Sequence, residues 1–137
     1  MEIRNIDQDI HVRLVKADSF PNGVKDAHRK LHSLVPFDGS RRYFGISNPD
    51  KSGSIVYKAA AEEHAKGELS STGLDEFTLR KGQYLCIEIR DYMNDLSSIG
   101  RAFKEMLPDP RIDPKGYCLE WYLSQKDVLC MVPIVKK

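Results

Sequence analysis

The chain carries VKDAHRKLHSLVP at residues 24–36 and LSSIGRAFKEMLP at residues 96–108. In the first segment Val24, Ala27, Leu31, Leu34 and Val35 fall at helical spacing. Lys25, Asp26, Arg29, Lys30 and Ser33 take the opposite side, and Pro36 ends the run. The second segment places Leu96, Ile99, Phe103, Met106, Leu107 and Pro108 each 72 positions after the matching residue of the first. Asn94 or Asp95 is positioned to cap it. Two amphipathic helices in one register suggest one unit used twice.

The flanking segments keep the same order. Ile10, Val12 and Leu14 alternate with His11, Arg13 and Val15, a strand period. Ser19 to Gly23 is turn-like. After the first helix come Asp38-Gly39-Ser40, a strand over Arg41 to Ser47, a turn over 48–53, and a strand over Ile55 to Ala61 despite its three alanines. After a polar stretch the pattern restarts. Phe77 to Arg90 reads as strand with a bend at Lys81-Gly82, followed by the second helix and a proline-containing loop. Tyr117 to Leu123 and Val128 to Val135 are the last two strands. The expected fold class is α+β: duplicated β-α-β-β repeats, an antiparallel sheet with two helices on one face, and a ligand pocket on the other. Repeat one spans about residues 8–63, a linker about 64–75, and repeat two about 76–135, within a single domain 1–137. The seam between the repeats is the natural place for a pocket.

Composition narrows the function. The 137 residues are 41% hydrophobic and 30% charged, ordinary for one globular domain. With 21 basic and 20 acidic residues the net charge is +1, so no one-sign field favours direct nucleic-acid binding. No long apolar run or secretory leader is apparent, so no membrane partner is expected. Cys86, Cys118 and Cys130 sit in strand-like segments without a C-x-x-C pair, which suits buried, reduced thiols in a cytoplasmic protein. His28 and His32 stand four apart without a third ligand, and a solvated helix edge is their expected setting. No metal and no cofactor are expected.

The segment 118–123, Cys-Leu-Glu-Trp-Tyr-Leu, carries the sharpest chemical signal. In a strand, Leu119, Trp121 and Leu123 share one face, expected against the helices. Cys118, Glu120 and Tyr122 share the other, the expected open face. A carboxylate enclosed there by aromatic rings could hold a cation, accept a hydrogen bond, or act as acid or base. Tyr84, Cys86 and Glu88 form a similar row. Tyr43, Phe44, Tyr57 and Tyr92 add rings able to line a pocket.

Several of these segments, taken in order, resemble a known family. They are Tyr43 to Pro49, Phe77 to Tyr84 with its Lys81-Gly82 bend, Leu96 to Leu107, and Cys118 to Leu123 followed by Asp127 to Ile134. Together they resemble the GyrI-like small-molecule-binding family, which includes effector-binding domains of AraC- and MerR-type transcription regulators. The resemblance implies two β-α-β-β repeats, a pocket for amphipathic, often cationic, organic molecules, and Glu120 as ligand anchor. Tyr122, Cys118, Tyr84, Phe44 and Tyr57 are the candidate pocket residues. The two repeats use the whole chain, so a stand-alone member without a helix-turn-helix module is expected. Some stand-alone relatives resemble hydrolases of cyclopropane-containing compounds, which would make Glu120 a catalytic acid or base. A homodimer, or a regulator working through a protein partner, is a further reading.

Overall fold

A computed structural model describes residues 1–135. It contains β1 (Glu2–Ile6), β2 (Ile10–Lys16), α1 (Val24–Leu34), β3 (Tyr43–Pro49), β4 (Ile55–Glu62), β5 (Asp75–Leu79), β6 (Gly82–Ile89), α2 (Ser97–Met106), β7 (Cys118–Tyr122) and β8 (Val128–Pro133). One antiparallel sheet of eight strands runs β1-β6-β8-β7-β3-β4-β2-β5. Exchanging β1–β4 for β5–β8 leaves that order unchanged, with the exchange axis between β3 and β7. Each half is therefore β-β-α-β-β, and its first strand pairs with the other half. β1 lies on β6, and β5 lies on β2. The sequence pattern does not show β1, because only Ile6 of its five residues is buried.

The connections require the sheet to curl. β5 and β6 stand six strand spacings apart in the order, about 29 Å if the sheet were flat. Only Arg80 and Lys81 join them, and that step spans at most about 11 Å. Residues 7–9 make the equivalent jump from β1 to β2. The sheet therefore rolls until its ends approach. Its inner face closes on itself around Ile10, Val12, Phe44, Leu79, Tyr84, Leu119 and Met131, with no helix needed.

Both helices lie on the outer face. α1 buries Ala27 and Leu31, and Val35 beyond its end, against Val15, Ala59 and Ala61. The alanines that weaken β4 as a strand are small enough to seat this helix. α2 buries Ala102 and Met106 against Leu85, Val128, Cys130 and Val132. Leu34, Leu96 and Leu107, expected on the apolar stripes, are exposed. No helix is long and apolar enough to cross a membrane among the described residues.

The stretch 64–75 is pinned rather than free. Arg13 donates to the Leu74 carbonyl and to Glu76, each at 2.9 Å, and its Nε lies 3.2 Å from Glu63. Glu63 accepts the Leu69 backbone N–H, and Arg41 donates twice to Glu68. A short turn of 3-10 helix at Ser70–Thr72 sits within this stretch.

Candidate functional site

Glu120 lies at the seam of the two halves, where β7 pairs with β3. Gly45 is opposite it on β3, and Cys130 is opposite it on β8. This position differs from the sequence expectation in one respect. The Cys118, Glu120 and Tyr122 side faces outward, with the helices, and not away from them. Tyr122 packs against the clusters of both helices, and Cys118 belongs to that of α2. Leu119 and Trp121 face inward instead, against Phe44 and Tyr84, and Leu123 is exposed. Both sheet faces are covered, one by helices and one by the roll. Alternation along β7 therefore marks two apolar sides and no wet one.

The structure brings Glu120, Tyr122, Cys118 and Tyr57 together and adds His28. It puts Phe44 and Tyr84 on the inner face, through the sheet from Glu120. Tyr122 donates its hydroxyl to Glu120 Oε1 at 2.7 Å. The Tyr57 and Tyr122 hydroxyls are 2.7 Å apart, and His28 Nε2 is 2.7 Å from the Tyr57 hydroxyl. An unbroken chain of hydrogen bonds thus runs from α1 to the carboxylate. Gly45 makes it possible. A Cβ at that position would collide with the Tyr57 hydroxyl and stand 3.0 Å from that of Tyr122. Phe20 stacks on Tyr57 at 6.0 Å between centroids, and Tyr92 lies 6.1 Å from Tyr122. His28 and His32 do not act as a pair. His28 faces Tyr57 and Tyr122, whereas His32 is exposed beside Tyr43. Among the described residues no three potential ligands gather where a metal could be held.

The electrostatics follow from burial. Glu120 is 9% exposed. Desolvation raises its pKa, and the Tyr122 hydrogen bond opposes that only in part. No lysine or arginine pairs with it among the described residues. Burial raises the Tyr57, Tyr92 and Tyr122 phenols, and the Glu120 charge adds to this. Burial and Glu120 push the Cys118 thiol up to about 11, which leaves it a poor nucleophile. Burial, with a smaller push from His32, lowers His28 to about 4, so it is neutral at physiological pH. The site is thus a desolvated acid among neutral donors and rings, with no cation of its own among the described residues.

Glu120 and Tyr57 are buried, whereas His28, Tyr92, Cys118 and Tyr122 are half-buried. A groove of about 310 Å³ opens on the inner face beside Phe77, Arg80, Lys115 and Tyr117. A second, of about 460 Å³, runs past Lys16, Phe20 and Ile55. Neither is lined by Glu120.

No family model matches the sequence, and no curated protein matches it. Solved structures do match. An integron cassette protein from the mobile metagenome of Vibrio cholerae superposes with a TM-score of 0.67 at 12% identity, over 98% of this chain and 95% of that one. SAV2435 bound to tetraphenylphosphonium gives 0.66 at 9% identity, over 98% and 93%. The EcmrR C-terminal domain gives 0.65 at 11% identity, over 99% and 97%. At these identities the likeness establishes architecture. This chain has the fold of the GyrI-like effector-binding domains that its sequence resembles.

Proposed function

We propose that this protein binds a small lipophilic organic cation, with Glu120 as the polar anchor and Tyr57, Tyr122 and Cys118 around it. The observation that carries this reading is a carboxylate in an aromatic setting with no counter-charge beside it. Oε1 is taken by Tyr122, whereas Oε2 has no hydrogen-bond partner among the described residues. A cation with apolar substituents meets both demands of such a site: charge for the acid, and rings for the rest. A neighbour of the same fold holds tetraphenylphosphonium, a molecule of that description. Phe20, nearly half exposed on the loop before α1 and stacked on Tyr57, is the ring that swings aside, while Tyr57 keeps its hydrogen bonds.

Calorimetric titration with tetraphenylphosphonium tests the reading. One saturable site is expected. Only the ionised acid attracts the cation, so affinity falls as pH drops through the raised Glu120 titration, by about tenfold per unit below it. Absence of saturable binding, or affinity indifferent to pH, would count against it.

A second reading follows from the hydrogen-bond chain ending on an acid of raised pKa, which suits general-acid catalysis. Glu120 would protonate a strained ring as its carbon–carbon bond opens. Water would add to the other carbon and return its proton to Glu120. Mass spectrometry after incubation with a cyclopropane-containing electrophile separates the readings. A water adduct supports turnover, and unchanged compound counts against it.

A further inference from the structure

We propose that His28 is a positioning residue for the Glu120 carboxylate, acting through the two phenols between them. This deepens the ligand-anchor reading and rests on it for its functional meaning, although the hydrogen-bond logic stands alone. The three contacts, His28 to Tyr57, Tyr57 to Tyr122 and Tyr122 to Glu120, are each 2.7 Å. Each phenol has one proton to give. When Tyr122 donates to an ionised Glu120, the Tyr57 proton must go to Tyr122. The Tyr57 oxygen is then left to accept, and among the described residues the partner placed to donate is His28 through Nε2–H. An anionic Glu120 therefore selects the Nε2–H tautomer of a neutral imidazole. If Oε1 instead carries a proton aimed at Tyr122, every bond reverses and Nε2 becomes the acceptor.

Among the described residues no competing charge is placed to set this order. The titratable groups facing Glu120 are Cys118 and Tyr122 on its own strand, Cys130 on β8, Tyr57 on β4 and Tyr92 ahead of α2, with His28 on α1 and His32 one turn beyond. Gly45 is the β3 contribution and carries nothing to titrate. Cooperative polarisation along such a chain strengthens its last bond. The N–H of His28 thus helps hold the acid ionised and oriented, with Oε2 free.

The test uses the ligand-free protein, so it does not depend on any ligand. The Glu120 carboxyl carbon is titrated by carbon NMR in wild type, His28→Met and His28→Gln, while nitrogen NMR reads the His28 tautomer. His28→Met removes the donor and should weaken Glu120 ionisation by roughly threefold or more, moving its titration to higher pH. His28→Gln supplies an N–H again and should return it toward wild type. Tyr57→Phe keeps the ring, cuts the chain, and should reproduce the His28→Met shift. The wild-type histidine should be Nε2–H above the Glu120 titration. A Glu120 titration unmoved in both His28→Met and Tyr57→Phe, or an Nδ1–H tautomer above it, would overturn the proposal. A shifted titration in a protein that fails to bind tetraphenylphosphonium would remove the ligand reading and keep the positioning role.

Discussion

Glu120→Gln should lose the cation and gain stability in the same protein. Glutamine keeps the shape and can still accept the Tyr122 hydroxyl, but it offers no charge. Binding of tetraphenylphosphonium should weaken by roughly 10- to 100-fold, about 1.4–2.7 kcal/mol, within the range for a charged contact in a desolvated site. The stability change has the opposite sign for a definite reason. Burial raises the Glu120 pKa, so the folded protein holds that proton more tightly than the unfolded chain does. The stabilisation this supplies is present below the ordinary carboxyl range. It is lost as pH rises through the raised folded value, and above it the fold carries a desolvated anion. The variant avoids that penalty. It should be more stable than wild type at pH 7 to 8, by on the order of 1–3 kcal/mol, and the gap should close near pH 4. Thermal unfolding at several pH values, paired with calorimetric titration, reads both effects. A variant that binds as well as wild type, or is less stable at pH 8, would contradict this account.

The second large effect concerns Arg13→Ala. The Arg13 side chain is 8% exposed and the facing Glu63 side chain 1%. Truncation leaves Glu63 buried without its counter-ion and strips the Leu74 carbonyl of a donor. Breaking a buried pair in this way costs about 3–5 kcal/mol, a large part of the roughly 5–15 kcal/mol that holds an ordinary domain. For a chain of this size the unfolding midpoint should fall by roughly 10–17 °C. The double change Arg13→Met with Glu63→Leu removes both charges and should recover at least half of the loss. If the single variant melts within a few degrees of wild type, the pair does not pin residues 64–75 as described.

Much of the architecture is legible in the residues because the two helices declare themselves twice. Their shared register, and the strands that follow each, give the element order without any measurement of contact. Three features escape for physical reasons. β1 is an edge strand that buries only Ile6, so it has no apolar period to find. The facing of β7 is hidden because Leu119 and Trp121 on one side and Tyr122 on the other are all apolar enough to be core. Only the curl of the sheet decides which side meets the helices. His28 looks like a solvated helix edge when judged beside His32. Counting from Val24, however, position 28 falls one turn on, next to Ala27 and one turn before Leu31, and so borders the buried stripe. That spacing was the available signal. The candidate site is half legible: Glu120, Tyr122, Cys118 and Tyr57 lie together, whereas Phe44 and Tyr84 belong to the interior of the roll.

Where the cation sits is the most direct test. A crystal structure of the protein with tetraphenylphosphonium should place the phosphonium beside Glu120 Oε2 on the outer face, with Phe20 displaced from its present stack on Tyr57. The same cation found instead in the inner groove beside Phe77 and Tyr117, with Phe20 and Glu120 undisturbed, would show that the buried acid is not the anchor.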